Sequence, residues 1–159
     1  MIVTIYLLAI VSANLIITAL GPAYSIVTAF IFIGLDLTLR DKLHDAWQGK
    51  KLVQKMALLI LGGSLISYAL NTASWRIGLA SALAFGLAAI VDTFFYDLLK
   101  NKKWLVRVNG SNLPSALVDS IVFPTLAFGV FAPVIILGQF AAKVFGGGLW
   151  SFVISSFRR

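Results

Sequence analysis

The chain has no cysteine and no glutamate, one histidine, and charged side chains at only 12% of its 159 positions. Without cysteine there are neither disulfides nor thiolate metal sites. With a single histidine and no glutamate, ligands for a metal centre are too few, and no metal or other cofactor is expected. Soluble domains carry roughly a quarter charged residues, about twice this supply. Apolar residues make up 60% of the chain and the mean hydropathy is +0.96, more apolar surface than a water-soluble protein of this size can hide. The two-residue alternation of an outer-membrane barrel is missing too. So is any nucleophile paired with a base, and the chain is not expected to be an enzyme.

What the sequence does contain is long apolar runs. A helix rises 1.5 Å per residue, so the ~30 Å hydrocarbon core of a bilayer needs roughly 20 residues. Six runs approach that length, at about 2–20, 23–39, 52–70, 77–99, 113–131 and 133–157. Gly21-Pro22 separates the first two, and Ala132-Pro133 separates the last two. The expected fold is an all-α integral membrane protein, a single six-transmembrane-helix bundle over residues 1–159. The first run lacks the basic start of a signal peptide and reads as a retained helix.

The net charge of +7 is informative through its placement, and no nucleic-acid partner is expected from it. Arg40, Lys42, Lys50, Lys51 and Lys55 follow the second run; Lys100, Lys102, Lys103 and Arg107 follow the fourth; Arg158 and Arg159 end the chain. In a six-helix chain these regions share one side, and the opposite loops hold only Arg76. By the positive-inside rule that predicts a cytoplasmic (inner) membrane protein with both termini cytoplasmic.

Chemistry in such a chain belongs to polar residues at membrane depth, which are costly and face a cavity or a partner. Counting helix rise from the cytoplasmic ends of the runs puts Asp92 and Asp119 both ~10 Å deep. Asn14 and Lys143 fall near the midplane, with Gln139 one turn further out. Asp92 extends the small-residue row Ala80, Ala84, Ala88, which lets helices approach closely. Asp119 lines up with Asn112, Ser115 and Ala116, while Gly146 and Gly147 extend the side of Gln139 and Lys143. Two acids facing one base leave a surplus carboxylate for a solute; the alternative is that one acid pairs with Lys143 for structural reasons alone.

The stretch from Asp36 to Trp47 is the most distinctive. Leu35, Leu39, Leu43 and Trp47 recur every four residues, so the second helix is expected to continue beyond the membrane with one apolar and one charged, solvated face. Asp36 and Arg40 are spaced for an ion pair, and His44 reads as a hydrogen-bonded cap. Tyr96, Trp104 and Trp150 read as an aromatic belt at one boundary and Trp75 at the other. Asn109-Gly-Ser-Asn-Leu-Pro114 reads as a turn entering the fifth helix, with proline in its first turn.

These pieces occur in an order that resembles the queuosine precursor transporter family, also described as the vitamin uptake transporter (VUT) family, in a compact, phage-like form. The resemblance runs through Ser12-Ala13-Asn14, the stretch from Asp36 to Asp45, Arg76 to Ser81, Asp92, Trp104 to Arg107, Ser111-Asn112, Val118 to Phe123 and Lys143. Thr38-Leu39-Arg40-Asp41 stands where commoner members have an asparagine–glutamate pair and a tyrosine–glycine. The resemblance implies a fold like the substrate-binding subunits of energy-coupling-factor transporters. It also implies import of a 7-deazaguanine base, 7-cyano-7-deazaguanine or its aminomethyl relative. The residues that would bind this purine-like base are Asn14, Asp36, Asp92, Asn112, Asp119, Gln139 and Lys143, with Arg40 and Arg76 as gating or ion-pair residues. A carboxylate suits the adjacent N–H donors of a guanine-like edge. Amides or Lys143 suit its carbonyl, and Phe or Trp rings suit its face.

Two other classes fit the same sequence. One is a binding subunit driven by an ATPase module, docked through the small pair Ala9 and Ala13. The other is a non-transport protein such as a lysis pore or an anchor. The partners expected are therefore the base and the lipid bilayer, with a homodimer or an energising subunit left open.

Overall fold

A computed structural model describes residues 1–47 and 51–156. Lys50, Arg158 and Arg159 of the charge pattern, and Phe157 at the end of the sixth run, lie outside the described residues. Among the described residues the chain is all-helical and forms six rods: α1 (Ile2–Leu20), α2 (Pro22–Trp47), α3 (Leu52–Leu70), α4 (Trp75–Leu98), α5 (Trp104–Phe128) and α6 (Pro133–Ser156). The turns α1–α2 and α5–α6 each use a glycine with positive φ, Gly21 at 88° and Gly129 at 72°. A side chain would be strained at either position. Asn71 closes α3, its side-chain oxygen accepting from the Ala73 amide at 3.0 Å.

Four segments are long and apolar enough to cross a membrane: Ile2–Leu20, Pro22–Trp47, Thr72–Leu98 and Pro133–Ser156. In α3 the apolar stretch is the shorter Gln54–Leu70. Helix α5 is as long as the others but carries Ser111, Asn112, Ser115, Asp119 and Ser120, all buried, so its polarity faces the interior. On the outside, Leu58, Leu65, Ile90, Phe94, Phe145 and Phe152 are exposed. An apolar exterior with polar groups inside is the distribution of a membrane protein.

Small residues set the closest approaches. Ala80, Ala84 and Ala88 are fully buried along α4, as the four-residue spacing predicted. Where α2 crosses α6, a Cβ at Gly34 would sit 2.6 Å from the Gly146 backbone, so the two backbones meet without side chains between them. Thr38 Oγ1 bonds across this crossing to the Gly147 carbonyl at 3.3 Å. Above it α2 is irregular, opening with a 3₁₀ turn at Pro22–Tyr24 and widening into a π turn at Ala29–Ile33. The Trp150 indole donates to the Ile31 carbonyl inside that turn at 3.0 Å, giving this ring a structural partner beyond a boundary position.

Four expectations are corrected. Helix α2 does run on to Trp47, but its charged face is not solvated: Arg40, Asp41 and His44 are at most 4% exposed, because α4 and α5 supply partners over that face. Helix α5 begins at Trp104, and the segment from Asn109 to Pro114 is helix interior, not a turn. Tertiary contacts override the local turn signal: Asn112 is engaged by α2 and Ser111 Oγ bonds the Val108 carbonyl at 3.2 Å. Tyr96 is fully buried and is not a belt residue. Finally, Ala9 and Ala13 are buried within the bundle, so that pair is not an exposed docking face.

Candidate functional site

The earlier start of α5 sets its polar residues in two layers. Asn112 lies eight residues from Trp104, ~12 Å along the axis, and Asp119 fifteen residues, ~22 Å. Asp92, six residues before Leu98, is ~9 Å from the same end of the bundle. Asp92 and Asp119 are therefore not at similar depth, and they have different partners.

The layer nearer the basic end centres on Arg40. Its Nη2 lies 3.2 Å from Asp92 Oδ1, an ion pair whose angles fall short of a hydrogen bond. The same nitrogen donates to Ser115 Oγ at 3.1 Å and to Asn112 Oδ1 at 3.4 Å. Asn112 Nδ2 in turn donates to Asp41 Oδ2 at 3.2 Å. Arg40 Nε, Asp41 Oδ1 and Asp92 Oδ1 are buried without hydrogen-bond partners among the described residues. Toward the end of the bundle this layer is closed by Asp45, which accepts from the Tyr96 hydroxyl at 2.8 Å and the Trp104 indole at 3.2 Å. Arg107 stacks on the Tyr96 ring 3.6 Å from its centroid and lies 3.5 Å from Asp45. His44 packs on Tyr96 with ring centroids 4.7 Å apart.

The second layer centres on Lys143. Its Nζ is 2.7 Å from Asp119 Oδ2 and donates to Gln139 Oε1 at 3.0 Å and Ser120 Oγ at 3.2 Å. Nearby, Asn14 donates to Ser67 Oγ at 3.2 Å and accepts from Ser81 Oγ at 2.7 Å. The cation thus has three oxygen partners, which a buried ammonium requires.

The two layers differ in room. Asn14, Ser81, Asp119, Gln139 and Lys143 surround a space of about 10 Å³, enough for one water. Arg40, His44, Asp92 and Thr93, with Met56, Ile60 and the outward-facing Ile90, line a mainly apolar cavity of about 420 Å³ between α2, α3 and α4 that is open on one side. Small-molecule sites span ~300–1,000 Å³, so this cavity is large enough to admit a small molecule.

Of the residues singled out from sequence, Asn14, Asp119, Gln139 and Lys143 meet in the tight layer, and Asp92, Asn112 and Arg40 in the other. The expectation of two acids facing one base is corrected: Asp92 has its own cation, Arg40, and Asp36 and Asp41 are the carboxylates left over. Asp36 is buried between the layers and lines neither cavity, and among the described residues neither of its oxygens meets a donor in full hydrogen-bond geometry, although the Tyr6 hydroxyl approaches it. Arg76 is exposed at the opposite end beside Gly129, away from both layers. Asp41, His44 and Ser81 were not proposed as site residues. The four-residue ladder Asp36–Arg40–His44 was the available signal for His44. Among the described residues no three histidine or acidic side chains converge as a metal site.

A family model described as "Putative vitamin uptake transporter" matches residues 2–156. No curated protein and no solved structure matches the chain.

Proposed function

The chain belongs to this vitamin uptake transporter family, and from that premise we propose that it imports a 7-deazaguanine base, such as 7-cyano-7-deazaguanine. The observation that carries this reading is the 420 Å³ cavity walled on one side by Asp92 and Arg40. A guanine-like edge presents adjacent N–H donors, and Asp92 is the carboxylate among the residues lining the cavity. The ring carbonyl and the cyano nitrogen present two acceptors on the neighbouring edge. A guanidinium is a planar fork of donors suited to such a pair, and Arg40 lines the cavity. His44 offers a flat face along the same wall. The tight layer of Asn14, Asp119, Gln139 and Lys143 is the closed barrier on the far side, which opens as the solute passes.

The bundle spans the membrane six times in this reading, with α3 and α5 crossing alongside the four more apolar segments. The basic residues at one end of the bundle favour that end as cytoplasmic, both termini included, in the inner membrane. The test is binding of labelled 7-cyano-7-deazaguanine to purified protein. Asp92→Asn should weaken binding at least tenfold, since hydrogen bonds to charged groups contribute about 1.5–3 kcal/mol. Unchanged affinity in Asp92→Asn would remove the carboxylate from the site.

A further inference from the structure

We infer that Asp36 is a proton-binding site whose proton holds Arg40 in the solute cavity, so that solute and proton are taken up together. The inference rests on the cavity being the solute site. Four carboxylates, Asp36, Asp41, Asp92 and Asp119, are buried in the described bundle against two cations, Arg40 and Lys143. Asp119 is neutralised by Lys143, Asp92 by Arg40, and Asp41 accepts from Asn112. Asp36, at 1% exposure, has no ion-pair partner among the described residues, and neither of its oxygens meets a donor in full hydrogen-bond geometry. An ionised carboxylate in that position is very costly, and such a group takes up a proton instead.

The surroundings of Asp36 match a proton better than a metal cation. The Tyr6 hydroxyl from α1 approaches the Asp36 carboxyl directly, and Arg40 on the same helix and Asp119 from α5 lie within electrostatic reach. Asp119 is already bound to Lys143 of α6, and Asp92 of α4 to Arg40. Among the described residues no group of three histidine or acidic side chains converges as a cation site, and Asp36 lines neither of the two cavities described. A proton needs no volume and turns one orphaned oxygen into a donor.

Arg40 makes the site a switch. It follows Asp36 by four residues, the spacing of a helical ion pair, yet it is drawn to Asp92, Asn112 and Ser115 with its Nε unpartnered. With Asp36 neutral, Arg40 stays at the cavity and completes the solute site. When the proton leaves to water, the Asp36 carboxylate competes for the guanidinium and Arg40 turns away. Solute affinity then falls. Protonation on the acidic side favours loading, and deprotonation on the other side favours release.

Infrared spectroscopy of the purified protein at neutral pH reads the proton without any solute. A protonated carboxyl stretch, shifted in deuterated buffer, is expected in the wild type, with a component that Asp36→Asn removes and Asp41→Asn leaves in place. Absence of such a band from the wild type overturns the site even if no variant folds, and a band unchanged in Asp36→Asn overturns its assignment. In proteoliposomes, an inward proton gradient should stimulate uptake of labelled 7-cyano-7-deazaguanine by the wild type. Asp36→Asn should still bind the base but lose that stimulation. Uptake driven by sodium instead, or proton stimulation that survives in Asp36→Asn, overturns the coupling. No binding of the base by a wild type that shows the Asp36 band would count against the substrate reading and the coupling built on it, while confirming the proton site.

Discussion

Lys143 Nζ lies 2.7 Å from Asp119 Oδ2, with neither side chain more than 3% exposed. The pair joins α5 to α6 at a depth where neither charge can reach water. Removing one partner strands the other, which in buried pairs costs about 3–5 kcal/mol. Lys143→Met should therefore lower thermal stability in detergent sharply. Adding Asp119→Asn to Lys143→Met should recover most of the loss. A single variant as stable as the wild type would show that the pair is not closed in solution.

The crossing of α2 and α6 gives a second expectation. Alanine is the better helix former by roughly 0.5–1 kcal/mol, so Gly62→Ala, where nothing lies within 4 Å, should be neutral or stabilising. Gly34→Ala should destabilise by about 1–3 kcal/mol through overpacking, since its Cβ would meet the Gly146 backbone. The melting temperature should fall for Gly34→Ala and hold or rise for Gly62→Ala. A shift in the same direction would mean that the helices separate easily at this point.

How much of this was legible in the sequence depends on what each signal reports. Runs of apolar residues located the helices, because length and hydropathy are local properties. Spacing of four placed Ala80, Ala84, Ala88 and Asp92 on one buried face for the same reason. Partner choice was not legible. Arg40 is spaced for Asp36, and nothing local says that Asp92, more than fifty residues away, takes it. The Asn-Gly-Ser-Asn-Leu-Pro segment misled because turn chemistry is a local preference. In the bundle Asn112 is held by Arg40 and Asp41, and α5 continues through Pro114. That shift of the helix start displaced Asp119 from the Asp92 layer to the Lys143 layer.

Absence of cysteine makes the membrane topology directly measurable. Thr72→Cys, in the α3–α4 turn, should react in intact cells with a maleimide that cannot cross the membrane. Lys102→Cys, in the α4–α5 turn, should react only after permeabilisation. The reverse pattern would invert the proposed orientation, and labelling of both in intact cells would contradict six crossings.

The most direct measurement is uptake. Cells unable to make 7-deazaguanines, expressing this protein, should accumulate labelled 7-cyano-7-deazaguanine, and Asp92→Asn should abolish accumulation while still inserting into the membrane. No accumulation by well-inserted wild-type protein, or accumulation untouched by Asp92→Asn, would contradict the assignment of the Arg40–Asp92 cavity as the solute site.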